Sequence, residues 1–135
     1  MILVIGEALI DLIESRETKG QFQAVVGGAN ANVALALARR GTDHQFLARI
    51  SSDRFGILIK DRLGSNNVNM DYIINTDEPT TLAVISVNAQ GSPTYNFYTN
   101  GTADWGWTKE ELPTKETVKS LNAKAISFGC LTMAM

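Results

Sequence analysis

The run Met1 to Ile5 is apolar without a break and stops at Gly6, the pattern of a short strand covered on both faces within a parallel sheet. Leu9–Ser15 and Gly20–Val26 flank the polar stretch Arg16 to Lys19, which predicts an antiparallel hairpin turning near Gly20. From Asn30 to Arg40 the chain has the length and Ala/Leu content of a helix, with Arg39 and Arg40 in its last turn and Gly41 as its stop. Apolar residues cover nearly all of its faces, which predicts a buried helix. His44–Ile50 reads as one strand, and Ser52 or Asp53 can cap a following helix that runs to about Leu63 and ends at Gly64.

Further along, Thr80–Val87 and Thr94–Thr99 are rich in β-branched and aromatic residues and enclose Asn88, Gly91 and Pro93, predicting a second hairpin. The spacing Thr108 to Glu111 is that of a capping box, with Pro113 limiting it to a short turn. A modest helix over Thr114–Leu121 and a strand over Ala123–Gly129 follow. Strands alternating with helices predict an α/β fold with βαβ units, right-handed crossovers and a mostly parallel sheet.

Composition narrows the function classes. A chain of 135 residues can bury roughly two-thirds of its unfolded surface, so one domain with a real core is expected. Twelve basic against fourteen acidic side chains, with no basic block, argue against nucleic acid as a partner. Cys130 is the single cysteine and His44 the single histidine, so neither an internal disulfide nor a zinc cluster is expected, and a reducing cytoplasmic setting fits. Both are read as core or strand-edge residues. The apolar start is interrupted by Glu7 and Asp11, which argues against a signal peptide or membrane span. The sequence stops six residues after a core-type strand, from which a piece of a longer protein, or one with a covering partner, is expected.

In open α/β sheets ligands bind outside the carboxyl ends of the strands, which points to Gly6 through Asp11. Gly27 and Gly28, before the first helix, permit close backbone approach to a ligand; the plainer reading is a tight turn. The helix start could attract phosphate, but neither a Walker motif nor a dinucleotide fingerprint is present. Glu7, Asp53 and Asp104 are read as structural or solvated, Asp53 as a cap.

Three stretches carry a resemblance: VIGEALIDLIE, GGANANVALALARRG and ISSDRFGILIKDRL, in that order and spacing, with TTLAVISVNAQGSPTYNFYTNGTADW beyond them. Together they resemble the N-terminal half of the ribokinase-like, or PfkB, carbohydrate kinases, most closely the fructokinase-like branch, over essentially the whole chain. The resemblance implies a ribokinase-like α/β sandwich with a small β-sheet lid, its strands at about 8–26 and 80–100. It implies ATP-dependent phosphoryl transfer to a sugar hydroxyl, with Asp11, Gly27, Gly28 and Asn32 contacting the sugar. Alternation lets only one of Phe97 and Tyr98 face the ligand, and Tyr98 is the candidate. A homodimer paired through the lid is implied as well.

Three positions depart from the family pattern: Asn30 stands where proline is common, Thr99 where arginine is frequent and Ser51 where glycine is usual. The catalytic aspartate of the family's GAGD-type motif is absent. No catalytic, cofactor-binding or metal-binding residue is therefore assigned here; ATP and Mg2+ are expected in the C-terminal half, and the 135 residues alone are expected to be inactive. The alternatives are a stand-alone lid-mediated binding or dimerisation module, and a nucleoside or ketodeoxygluconate kinase of the same superfamily.

Overall fold

The computed structural model describes residues 1–129 and 131; Cys130 lies outside the described residues. Among the described residues nine strands and three helices follow in the order β1 (Ile2–Ile5), β2 (Leu9–Glu14), β3 (Phe22–Gly27), α1 (Ala29–Arg39), β4 (His44–Leu47), β5 (Arg49–Ser51), α2 (Arg54–Gly64), β6 (Ile74–Thr76), β7 (Leu82–Val87), β8 (Pro93–Tyr98), α3 (Lys115–Ser120) and β9 (Ala125–Phe128). Short 3-10 turns at Ala103–Trp105 and Lys109–Glu111 connect β8 to α3.

These strands form three sheets. β1 lies between β4 and β9, parallel to both, as its uninterrupted apolar run requires. The two predicted hairpins join into one four-stranded sheet in the order β3-β2-β7-β8, with β2 and β7 parallel at its centre. β5 and β6 make a small parallel pair. Val4, Ile10, Phe46, Ile50, Ile59 and Leu63 centre the core, which α1 and α2 cover. Among the described residues no helix is long and apolar enough to cross a membrane.

Three sequence expectations change, and one strand was not foreseen. His44–Ile50 is two strands: the chain leaves β1 after Leu47, and Ala48 already accepts a hydrogen bond from the Ile74 N–H at 2.9 Å, next to β6. β6 itself is only three residues long and carries no strand signal strong enough to read. α1 is half buried: Ala31, Ala34 and Leu35 face the core while Asn32, Val33 and Ala36 are exposed, because an alanine-rich face asks for little cover. α2 includes Gly64, and the left-handed residue after it is Asn67, at φ 60°, while the Val68 N–H closes back on the Leu63 carbonyl at 3.1 Å.

Other local signals hold. Asp53 caps α2, its Oδ1 accepting from the Gly56 N–H at 2.8 Å, and Thr108 with Glu111 forms the capping box. His44 is buried on β4; its Nδ1 lies 2.8 Å from the Thr42 carbonyl and its Nε2 lies 3.2 Å from the Asn69 N–H that donates to it. The Ser51 hydroxyl accepts from the Asp53 N–H at 3.0 Å, a structural contact at the start of α2.

Candidate functional site

Past the end of β1 the chain turns at Gly6 and enters β2, which carries Asp11. Cross-strand register pairs Asp11 with Val25 on β3 and with Ala83 on β7, and Ala83 with Phe97 on β8. Directly paired residues project from the same face, so Asp11 and Phe97 share one side of the hairpin sheet. Tyr95, two residues before Phe97, is on that side too, its ring stacked on Phe97 with centroids 6.1 Å apart and planes 9° apart.

A cleft of about 340 Å³ opens on this face, lined by Glu7, Asp11, Gly28, Asn32, Tyr95 and Phe97 among others. Its size is at the small end of the range for ligand pockets, roughly 300–1,000 Å³. Gly27 adjoins Asp11 so closely that a Cβ built on it would stand 2.4 Å from Asp11 Oδ2. Gly28 takes φ 103°, and a Cβ there would meet the Glu7 carbonyl oxygen at 2.8 Å. Both glycines therefore have a steric reason, and the pair does more than turn the chain.

Electrostatics separates sugar from phosphate as the fitting ligand class. Glu7 Oε1 accepts from the Ala29 N–H at 3.1 Å and the Glu7 carbonyl accepts from the Ala31 N–H, so the start of α1 already holds a carboxylate. Asn30 is buried inside the helix and its Oδ1 accepts from the Glu7 N–H at 3.2 Å; the helix cap is Gly28, not Asn30. Among the described residues the cleft lining has two carboxylates, Glu7 and Asp11, and neither lysine nor arginine. Burial first, and then the charge of Glu7, hold the Asp11 carboxyl above the usual aspartate range. Hydroxyl donors would relieve that, whereas a phosphate would add to it.

Of the five residues expected at the site, Asp11, Gly28 and Asn32 line the cleft and Gly27 supports Asp11 from beside it. Tyr98 does not join them. It pairs with Leu82, which pairs with Ile10, on the opposite face of the sheet, and lines a separate hollow with Pro79 and Asn100. Phe97 takes the place expected of Tyr98; strand alternation allowed either residue, and only the register with Ala83 selects between them. Glu7 and Tyr95 are further lining residues missed; for Glu7, its position directly after a buried strand was the available signal.

The model of the pfkB family carbohydrate kinases matches residues 1–128. The chain belongs to this family. It is 34% identical over 135 residues to a fructokinase of Rhizobium leguminosarum bv. trifolii, covering 98% of this chain and 40% of that relative, and 33% identical over 113 residues to a fructokinase of Klebsiella pneumoniae, covering 83% and 36%. The crystal structure of a fructokinase from Xylella fastidiosa with bound ATP superposes with a TM-score of 0.83 at 33% identity, covering 94% of this chain and 38% of that one. The mostly parallel α/β architecture is thus that of the N-terminal part of pfkB kinases. The chain spans about two-fifths of the length of the relatives it matches.

Proposed function

We propose that this chain is the sugar-binding part of an ATP-dependent carbohydrate kinase of the pfkB family, fructokinase-like, which transfers a phosphoryl group from ATP to a sugar hydroxyl. The observation that carries the reading is the convergence of the Asp11 carboxylate, Gly28, Asn32 and the stacked Tyr95 and Phe97 rings on one cleft, with Gly27 packed beside Asp11. Asp11 accepts charge-assisted hydrogen bonds from neighbouring sugar hydroxyls, Asn32 offers a donor and an acceptor, and the aromatic rings cover the apolar face of the sugar. Gly28 lets the Glu7–Ala8 main chain pack closely against the start of α1, which brings Glu7 to the cleft.

A cleft with two carboxylates and, among the described residues, no cation does not fit a triphosphate. ATP and Mg2+ are therefore proposed to be held by residues of the complete enzyme outside this stretch; bound there, they supply the phosphoryl group and neutralise its charge. The 135 residues alone are accordingly proposed to be inactive in phosphoryl transfer, and use of ATP makes the cytoplasm the proposed location.

The hairpin sheet is proposed to act as a lid over the sugar. Ile13, Val25, Tyr95 and Phe97 leave its cleft face apolar and exposed, which supports pairing of two lids in a homodimer. Light scattering on the full-length protein tests this: a monomer at micromolar concentration refutes the dimer.

Calorimetric titration of the full-length protein with fructose tests the main reading. Asp11→Ala is expected to weaken binding by about tenfold or more, the loss of a charge-assisted contact. Unchanged affinity overturns the assignment of Asp11. A parallel panel of ketodeoxygluconate and nucleosides distinguishes the fructokinase-like reading from the other kinases of the superfamily.

A further inference from the structure

Asp104 follows β8 in the turn Ala103–Trp105 and is 1% exposed. Its Oδ1 accepts from the Ala8 N–H at 3.3 Å, a contact across 96 residues of sequence. Its Oδ2 has no hydrogen-bond partner among the described residues, and neither has the indole nitrogen of the adjacent Trp105. A buried orphan oxygen is costly, so its retention at this place calls for a use.

Both sides of this contact are anchored. Ala8 sits between Glu7, which caps α1 and is held by Asn30, and Leu9, where β2 begins. Around Asp104, the Ala103 N–H donates to the Pro79 carbonyl at 2.9 Å, Arg49 Nε donates to the Ala103 carbonyl at 2.9 Å, and the hydroxyls of Thr81 and Thr102 meet at 2.7 Å. These contacts pin the root of the β7–β8 hairpin to the body of the molecule.

We infer that Asp104 is a positioning residue of the cleft: its carboxyl ties the root of the β7–β8 hairpin to the Glu7–Leu9 strap, and so fixes the spacing between Asp11 on β2 and the aromatic wall on β8. The inference rests on the sugar-binding reading for its effect on affinity.

The lock depends on charge. The charged groups that face Asp104 are Glu7, from the link between β1 and β2, and Arg49, from β5. Burial, helped by the Glu7 charge, pushes the Asp104 carboxyl up to about 7 against the opposing pull of the Ala8 N–H and Arg49. Thr81 is engaged with Thr102 and leaves Oδ2 unpaired. Neutral, the carboxyl accepts from Ala8 without a buried charge; ionised, it accepts from Ala8 more strongly but bears the cost of a charge buried beside Glu7, which favours opening of the strap to solvent.

The experiment uses the full-length protein, fructose as the probe, and the variants Asp104→Asn and Asp104→Ala. Asparagine keeps the acceptor and mimics the neutral acid. Wild-type affinity is expected to fall several-fold between pH 6 and pH 8, Asp104→Asn to hold one affinity at both, and Asp104→Ala to be about tenfold weaker at both. Amide hydrogen exchange at Ala8 is expected to speed up about tenfold in Asp104→Ala and to stay near wild type in Asp104→Asn. An unaltered Ala8 rate in Asp104→Ala, or the same pH dependence of affinity in wild type and Asp104→Asn, overturns the inference. Should Asp104→Ala not fold, the pH profile of Asp104→Asn decides alone. Wild-type protein that ignores fructose while Ala8 exchange responds as expected refutes the sugar reading and leaves the lock standing.

Discussion

The Asp11 carboxylate lies directly against Gly27, so close that a single added methyl group at Gly27 would stand 2.4 Å from Asp11 Oδ2. The obstructing atom is the end of a side chain that can swing away. Gly28 differs: a methyl there meets the Glu7 carbonyl, which is main chain, and φ 103° disfavours any side chain. Gly27→Ala is thus expected to leave stability within about 0.5 kcal/mol and to weaken sugar binding by misaiming Asp11. Gly28→Ala is expected to cost about 1–3 kcal/mol of stability. Urea denaturation alongside sugar titration of the full-length protein checks both, and the reverse ranking would show that the pair serves the turn alone.

Phe97 and Tyr98 are adjacent yet face opposite sides of their sheet, and only Phe97 lines the cleft. Phe97→Ala should weaken sugar binding by about 1 kcal/mol or more through loss of the stacked wall, while Tyr98→Ala should leave the affinity within a factor of two. Titration of the two variants side by side reads this directly. A larger effect from Tyr98 would mean that the hairpin sheet changes register when sugar binds.

The Arg49 side chain, 7% exposed, pairs with Glu78 and Glu111 and donates to the Ala103 carbonyl. It joins β5 to both ends of the segment that contains β7 and β8. Arg49→Met removes the cation and leaves two carboxylates facing each other, so a loss on the order of 3 kcal/mol is expected in chemical denaturation. Arg49→Lys should recover only part of it, since one ammonium cannot replace three separately directed contacts.

Stability should depend on pH in two opposed ways. The folded protein keeps a proton on Asp104 up to about 7, whereas the unfolded chain releases it near 3.8, so stability falls as pH rises between those values and stays lowered above them. A displacement of this size corresponds to about 4 kcal/mol at most. Burial alone would raise Glu111 as well, but the Thr108 N–H and Arg49 outweigh it and hold its carboxyl below the usual range. Its contribution is present above the ordinary glutamate value and is lost as pH falls through the lowered one. Asp104→Asn is therefore expected to flatten thermal stability between pH 4 and pH 7 and to exceed wild type at pH 8. A variant that melts below wild type at pH 8 would contradict this account.

Local chemistry was legible in the chain. The apolar run ahead of Gly6 fixed β1 as a two-sided buried strand, Asp53 and Thr108 announced their caps, and the turn residues of both hairpins marked where the chain reverses. Asp11 and the Gly27/Gly28 pair could be named as candidate residues because the stretches that carry them resemble a family with a carboxylate and a glycine pair at those places. What only the tertiary structure decided was everything that depends on which strands become neighbours. Pairing of β2 with β7, and of β7 with β8, put Phe97 rather than Tyr98 opposite Asp11. Packing of the turn after β8 against Ala8 turned Asp104, a loop aspartate by sequence, into a buried acid. Sequence periodicity reports which face of a strand is covered, but register and burial are set by contacts between segments as much as 96 residues apart, and no local pattern encodes those.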